Sequence, residues 1–286
     1  MILVDYSGLA IAALTQDTKD NSTLFRHKIL NAIRNINFKF KNEYGELVIC
    51  CDCKNQSWRK QKYDFYKATR KKDDYIDWDK IYEYMEIVRS ELIASFPYKI
   101  IQVDSAEADD IIATLCKLSQ VYDLNEGIIG KEPKKVLIAS RDGDFIQLQK
   151  YANVGQYNSI DKKFIKPEVS AARSLFEKVV RGDGGDSICN VLSPNDSLLT
   201  KTRQKPVKTV LLDEWYKDNS LLLTTEEIKT RWNENQELIN FEYIPKELQK
   251  TIIRTYLDCK PAPKSNVLKY LIANQMPLLI EHLNEF

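Results

Sequence analysis

Short apolar runs that stop at an acid recur along the first half of the chain. Ile2-Leu3-Val4 ends at Asp5, and Leu47-Val48-Ile49-Cys50-Cys51 ends at Asp52. Val136 to Ser140 leads through Arg141 to Asp142, with Asp144 two residues on. Ile100-Ile101-Gln102-Val103 ends at Asp104 and enters Ser105-Ala106-Glu107-Ala108-Asp109-Asp110. Such runs between polar segments read as buried strands. Strands alternating with helical stretches predict an α/β fold, a mostly parallel central sheet flanked by helices.

The intervening pattern fills in the helices. Leu24 to Phe40 repeats apolar residues at helical spacing, and a second helix is predicted from about Asp79 to Phe96, ended by Pro97. The third strand is Lys99 to Val103. Ser105 is the expected N-cap of a helix reaching about Tyr122. A loop is expected over 123–134, a fourth strand over Lys135 to Ser140, a short helix over Phe145 to Tyr151 and another strand over Val154 to Asn158. After Pro167 the pattern is helical, with helices near 206–217, 224–235, 245–258 and 264–283. It breaks at Arg181-Gly182-Asp183-Gly184-Gly185-Asp186, which holds three of the chain's nine glycines. These features predict a sheet domain over 1–180 and a smaller all-helical region over 181–286.

In open parallel sheets the ligand crevice lies beyond the carboxyl ends of the strands. The strand-end acids therefore collect at one edge. Crowded carboxylates repel, so some stay protonated unless a cation joins them. Hard divalent ions with oxygen ligands, Mg²⁺ or Mn²⁺, remove that conflict. Glu107 and Asp110, three apart, share a helix face, and Asp109 points elsewhere in an ideal helix. Each acidic group alone has an ordinary explanation, first-turn acids on a helix dipole or an Asp-Gly turn. Their joint arrival at one sheet edge points to two-ion phosphoryl chemistry.

Residues 54–72 hold eight Lys or Arg and one acid, with Trp58, Tyr63, Phe65 and Tyr66 interleaved. If helical, this stretch puts Tyr63, Lys67 and Arg70 on one stripe, suited to gripping a phosphate while an aromatic stacks on a base. Arg59, Lys60, Tyr66 and Lys71 belong to the same basic segment. The sign then reverses over 73–79. The glycines around Asp183 and Asp186 let backbone N–H groups approach a phosphate, and these two acids are spaced to reach metals from the second region.

Composition narrows the class. At 286 residues, 43% hydrophobic and 29% charged, the chain reads as an ordinary soluble globular protein of one large or two moderate domains. No apolar stretch approaches a membrane span, and Met1-Ile2-Leu3-Val4 meets Asp5 too soon for a signal peptide. With two histidines, a zinc site is disfavoured. The six cysteines read as reduced thiols of a cytoplasmic protein. The net charge of +1 hides an asymmetry. With nine of the 41 acidic residues committed to a metal site, the remaining 32 face 42 basic ones, a surface that favours phosphate backbones.

Glu107-Ala108-Asp109-Asp110, followed by Ser140-Arg141-Asp142-Gly143-Asp144-Phe145-Ile146-Gln147-Leu148, forms a specific pair of motifs. With Tyr66-Lys67-x-x-Arg70 and Arg181-Gly182-Asp183-x-x-Asp186 in order, the chain resembles the structure-specific 5′-nucleases over nearly its whole length. That family includes flap endonucleases and the exonuclease domain of bacterial DNA polymerase I, and the likeness is to its phage ribonuclease H branch. The resemblance implies a PIN-like nuclease domain with a helical duplex-binding region. It implies a two-ion, Mg²⁺-dependent enzyme removing RNA primers and adjacent DNA from the 5′ ends of lagging-strand fragments, with Mn²⁺ able to substitute. Asp5, Asp52, Glu107, Asp109, Asp110, Asp142 and Asp144 would ligate metal directly or through water, and Asp183 and Asp186 would complete the second ion's surroundings. Lys67 and Arg70 would stabilise the scissile phosphate at the base of a helical arch or mobile bridge. Products would carry a 5′ phosphate and a 3′ hydroxyl. Substrates would be RNA·DNA hybrid and 5′-flap or nicked duplex DNA, handled by a monomer, with a single-strand-binding protein as an implied partner.

Two departures stand out. The family's helix–three-turn–helix element usually has Asn after its last Asp and then a Gly-Ile-Gly run, whereas here Ser187 follows Asp186 and residues 188–200 hold no glycine. Lys205 and Lys208, at a helix opening near Thr209, are candidates to hold phosphate instead. Some relatives also carry an N-terminal sliding-clamp segment, for which the residues before Asp5 leave no room. Two rivals stay open. An aspartyl-phosphate phosphatase also starts from an Asp ending the first strand, but needs a second Asp where Ser7 stands. A non-catalytic branched-DNA-binding protein would bind flaps without cutting them.

Overall fold

The computed structural model describes residues 1–71, 73–123, 128–129, 132–218 and 224–286. The chain opens with β1 (Ile2–Asp5), α1 (Tyr6–Ala13), α2 (Ser22–Tyr44), β2 (Leu47–Cys51), α3 (Trp58–Lys62) and α4 (Trp78–Ser95). Next come β3 (Lys99–Gln102), α5 (Ala108–Leu118), the two-residue strands β4 (Tyr122–Asp123) and β5 (Ile128–Ile129), and β6 (Val136–Ala139). A 3-10 helix (Gly143–Lys150) leads to β7 (Val154–Asn158) and β8 (Lys163–Ile165). The remainder is helical: α6 (Ala171–Arg181), α7 (Thr209–Asp218), α8 (Glu226–Ile239), α9 (Lys246–Asp258), α10 (Ser265–Ala273) and α11 (Pro277–Ile280).

Six strands form one sheet in the order β3-β2-β1-β6-β7-β8, parallel except for the last pair. From β1 the chain goes to β2 on one side, and β6 closes the other. The crevice between β1 and β6 is thus the point where strand order reverses, the expected ligand position. Asp5 closes β1 and Asp142 follows β6, so two of the strand-end acids flank that crevice. Asp52 follows β2 next door.

The alternation along β1 divides the core into two layers. Ile2 and Val4 join one cluster with Phe25, Ile29 and Ile33 of α2 and Leu92 of α4. Met1 and Leu3 join the other with Ile111 and Leu115 of α5 and Ile252 and Tyr256 of α9. This period-two split is what a sheet covered on both faces requires. Each fully buried Ile, Leu or Phe contributes about 1.5–3 kcal/mol. α2 is fixed at both ends: Asn21 Oδ1 accepts from the Leu24 N–H at 2.9 Å, and Gly45 ends the helix at φ +85°.

Several boundaries differ from the sequence expectation. Ser105 is not the N-cap of α5. It stands at φ +66°, and Glu107 takes the capping position two residues on. The expected loop over 123–134 contains the β4–β5 pair, while residues 124–127, 130 and 131 lie outside the described residues. β8 escaped notice because its three residues are too few for a visible period. The helix expected over 264–283 is broken at Gln275 (φ +52°) before Pro277. Residues 54–72 are not one helix: α3 stops at Lys62, and Lys67 sits at φ +57°.

The chain after 180 is not one independent helical unit. α6, α7 and α8 share small clusters of their own, including Val179 with Leu238 and Val180 with Leu212 and Trp215. α9, α10 and α11 instead return to the two faces of the sheet. No helix among the described residues is long and apolar enough to cross a membrane.

If α9 belongs to the sheet core, Ile252→Ala lowers global stability by about 2–5 kcal/mol, because a wholly buried side chain leaves a cavity. Denaturant unfolding followed by tryptophan fluorescence and far-UV circular dichroism should shift together. A separate early transition confined to the helical signal would show that α9 is peripheral.

Candidate active site

Four carboxylates lie near enough to repel one another beyond the carboxyl ends of the parallel strands, with no lysine or arginine ion-paired to them among the described residues. They are Asp5, Asp52, Asp109 and Asp142. Local hydrogen bonds hold three of them in place, and α5 carries Asp109. Asp5 is buried and caps α1, accepting from Gly8 N–H at 2.9 Å and from Ser140 Oγ at 3.1 Å. Asp52 accepts from Ser7 Oγ at 2.5 Å and from Ala108 N–H at 2.9 Å, which ties β2 to the first turn of α5. Asp142 caps the following 3-10 helix, accepting from Asp144 N–H at 3.0 Å. The wholly buried Gln156 donates to the carbonyls of Ser140 (3.1 Å) and Asp142 (2.6 Å) and fixes the loop that carries Asp142.

The electrostatics register the crowding. Burial, then Asp52 and Asp142, push the Asp5 carboxyl up to about 6 against the pull of the Gly8 and Ser140 hydrogen bonds. Burial followed by Asp5 and Asp142 pushes Asp109 well above the usual carboxylate range. As placed, no three His, Cys, Asp or Glu side chains among the described residues converge closely enough to hold an ion. Repulsion among unpaired carboxylates opposes closer approach. The donor set is oxygen-only and anionic, and a positive charge is the missing component. It fits Mg²⁺ or Mn²⁺, with Asp5, Asp52, Asp109 and Asp142 as the residues to hold it.

A second group of acids is already matched by the chain's own cations. Lys67 Nζ pairs with Glu107, which also accepts from Tyr66 Oη at 2.8 Å and lies 3.2 Å from Arg59 Nη1. Against the cost of burial, Lys67 and Arg59 hold Glu107 below its ordinary value. Arg70 reaches Asp186 at 2.5 Å, and Lys178 bridges Asp144 and Asp183.

Three sequence-predicted site residues take other roles. Asp110 is fully buried and accepts from Trp58 Nε1 at 3.1 Å and from the Glu107 N–H at 3.0 Å, with Arg59 at 2.9 Å. Both its oxygens are engaged inside the protein, so it is a structural acid rather than a metal ligand. Glu107 and Asp110 do share a face, but that face meets Arg59. Asp109 is the residue turned toward Asp5 and Asp142. Arg59 is 2% exposed and cannot reach a nucleic acid, and Tyr66 is 3% exposed, leaving its ring no room to stack on a base. The helical stripe of Tyr63, Lys67 and Arg70 does not form, yet Lys67 and Arg70 still face the acids. Lys60, half-buried, lines a cavity of about 330 Å³ with Lys67, Arg70, Asp52 and Glu107. Lys71, Lys205 and Lys208 are exposed, the last beside the start of α7.

The segment from Tyr66 to Arg70 is zipped to the glycine-rich loop. Lys67 N–H donates to the Asp186 carbonyl at 2.8 Å, Thr69 N–H to Ser187 Oγ at 2.9 Å, and Arg70 Nε to the Gly185 carbonyl at 3.1 Å. Gly182 permits the turn. At φ +72°, a Cβ there would lie 2.3 Å from the Ile188 carbonyl oxygen. Ser187, at φ +62°, occupies the left-handed position that Asn tolerates better, and its hydroxyl contacts secure it to Thr69. The sequence reading left Ser7, Thr69, Gln156 and Lys178 unassigned. Their roles depend on contacts that reach 14 or more residues along the chain, joined for Lys178 by the nearer Asp183, and no local pattern announces them.

A doubly wound sheet with an acidic crevice, flanked by a lysine–arginine segment and a helical extension, defines a nuclease of the 5′→3′ class. The chain belongs to the 5′-3′ exonuclease family: the model of its N-terminal resolvase-like domain matches residues 1–178. The model of the T4 RNase H C-terminal region matches residues 169–286. Ribonuclease H of Enterobacteria phage T4 is 31% identical over 99% of this chain and 95% of its own length. Among solved structures, the T5 D15 protein co-crystallised with metal ions is similar at TM-score 0.61 and 15% identity, over 90% of this chain and 98% of that one. The bacteriophage T5 flap endonuclease in a pseudo-enzyme–product complex with DNA and metal ions has the same score at 14% identity, over 90% and 97% of the two chains. T5 5′-exonuclease with zinc bound also scores 0.61, over 91% and 98%. At these identities the T5 structures establish the shared fold. Family membership removes the phosphatase alternative.

Two outcomes test the site. Arg59→Ala strands the buried Asp110, so it should cost about 3–5 kcal/mol of stability, measured by urea denaturation. A neutral result would mean that Arg59 is not the partner of Asp110. Asp5→Asn should act the other way in EDTA. Below pH 3.8 Asp5 is protonated in both states. Between 3.8 and about 6 the unfolded chain ionises first, so stability falls as pH rises. Above that range the buried charge carries its full cost, about 3 kcal/mol. Asp5→Asn should therefore gain up to about 3 kcal/mol at pH 8 and nothing at pH 4. An equal effect at both pH values would contradict the raised Asp5 carboxyl.

Proposed function

We propose that the protein is a Mg²⁺-dependent 5′→3′ exonuclease with RNase H and flap endonuclease activity. It removes RNA primers and adjacent DNA from the 5′ ends of lagging-strand fragments during phage DNA replication, acting as a monomer in the host cytoplasm. The convergence of Asp5, Asp52, Asp109 and Asp142 beside Lys67 and Arg70 carries this reading. RNA·DNA hybrid follows from the activity named for the T4 relative, and flap or nicked duplex from that named for the T5 enzyme. A single-strand-binding protein is a further partner for exposed template.

When bound, two divalent ions supply a lowered pKa for the attacking water and charge neutralisation at the attacking and leaving oxygens. The protein's residues do the rest. Asp5, Asp52, Asp109 and Asp142 hold the first cation position, and Asp144, Asp183 and Asp186 surround the second. Ser7 and Ser140 orient two of those carboxylates by hydrogen bonds. Lys67 and Arg70 bind the scissile phosphate as they leave Glu107 and Asp186. The Thr69–Ser187 contact joins this grip to the glycine-rich loop, so duplex held near Lys205 and Lys208 sets the position of Lys67.

The test is cleavage of 5′-labelled hybrid, flapped and nicked duplexes with and without Mg²⁺. All three should be cut only with the ion. Lys67→Ala should lower kcat about 10²–10³-fold, the scale for losing one transition-state contact. Cleavage that persists in EDTA, or survives Asp142→Asn with Asp144→Asn, would overturn the assignment.

A further inference from the structure

The acids at the crevice separate by what faces them. Asp5, Asp52, Asp109 and Asp142 have no paired lysine or arginine among the described residues, whereas Asp144 and Asp183 share one. Lys178 of α6 places its Nζ against Asp144 and 2.8 Å from Asp183 Oδ2. The lysine side chain is 28% exposed, and the carboxylates are 18% and 24% exposed.

The Asp183 carboxylate is positioned by the backbone, whereas the side-chain partner of Asp144 is the lysine itself. Asp183 accepts from the N–H groups of Gly185 (2.8 Å) and Asp186 (3.3 Å) and closes the bridge to Ile188. Asp144 lies in the first turn of the 3-10 helix, its own N–H bonded to Asp142. The glycine-rich loop holds the Asp183 anion, and one ammonium lies between it and Asp144. Against the cost of burial, that ammonium holds Asp183 below its ordinary value.

We propose that Lys178 is a built-in counter-ion of the second cation position, and that a second divalent ion binds there only by displacing it. The proposal rests on the two-ion reading above and deepens it. Loading is ordered as a result. The first ion enters a group of carboxylates that repel one another and gains their full attraction. The second must break an existing ion pair, so in the absence of substrate it binds more weakly. The arrangement keeps Asp144 and Asp183 charged and in position while the position holds no ion.

The test is Mn²⁺ binding to the DNA-free full chain, by calorimetry and by electron paramagnetic resonance of the free ion. Lys178→Met should tighten the weaker site about tenfold, the equivalent of one charge-assisted hydrogen bond no longer broken. The tighter site should change less than about twofold, since those acids do not contact Lys178. Lys178→Arg, which keeps the charge, should leave the second site weak. A lysine that only braced the fold, or that helped gather the metal, would instead give unchanged or weaker binding on Lys178→Met. Should Lys178→Met fail to fold, the wild-type protein supplies a second readout. Acetylation of Lys178, followed by mass spectrometry, should accelerate at saturating Mn²⁺ relative to EDTA, and an unchanged rate overturns the proposal. Two bound ions with no effect of Lys178→Met overturn the lysine's role alone. Absence of any ion binding overturns the two-ion reading with it.

Discussion

Mutual repulsion among four carboxylates with no lysine or arginine ion-paired to them among the described residues is the constraint around which this structure is arranged. Parallel strands force it. β1, β2 and β6 end side by side, and the residues that follow them are Asp5, Asp52 and the segment leading to Asp142. α5 then delivers Asp109 to the same place. Burial raises the cost of the charges on Asp5 and Asp109, and local hydrogen bonds from Gly8, Ser7, Ser140, Ala108 and Asp144 hold Asp5, Asp52 and Asp142 in place. A protein selected for stability alone would have placed an arginine there, as it does at Asp110, the residue after Asp109.

That neighbouring pair shows the contrast within one motif. Glu107, Asp109 and Asp110 lie within four residues, yet Asp110 is locked to Arg59 and Trp58, Glu107 is paired with Lys67, and Asp109 is left to face the acids. One helix start thus supplies a structural anchor, a contact to the lysine–arginine segment and the acid proposed to hold a cation. The Tyr66–Arg70 segment and the loop at Gly182–Ser187 complete the surroundings. They are bonded to one another by backbone as well as side chain, which fixes Lys67 and Arg70 against the glycine-rich loop. The chain's own cations sit on the outer acids, and the inner acids are the ones without an ion-paired lysine or arginine among the described residues.

Much of this was legible in the sequence, for physical reasons that differ by element. A buried parallel strand is a short apolar run, and the polar residue that ends it marks the crevice, so Asp5, Asp52 and Asp142 could be placed without coordinates. The fate of Asp109 and Asp110 could not. Helical spacing says correctly that Glu107 and Asp110 share a face, but which face meets the site depends on how α5 packs against α3 and the sheet. The basic segment misled for a related reason. Its composition reads as an exposed amphipathic helix, whereas the left-handed Lys67 breaks it and the acids draw Arg59 and Tyr66 inside. Ser105 looked like a cap because its residue type suits one, and Glu107 took the position through its pairing with Asp110. Lys178, five residues before Asp183 on an ordinary amphipathic helix, carries no local signal at all.

The most direct measurement is anomalous X-ray scattering from crystals of the protein grown with Mn²⁺. The account predicts a fully occupied manganese peak within direct or water-bridged reach of Asp5, Asp52, Asp109 and Asp142, with Asp110 still bound to Arg59. Manganese absent from that crevice, or bound at Asp110 in place of Arg59, would contradict it.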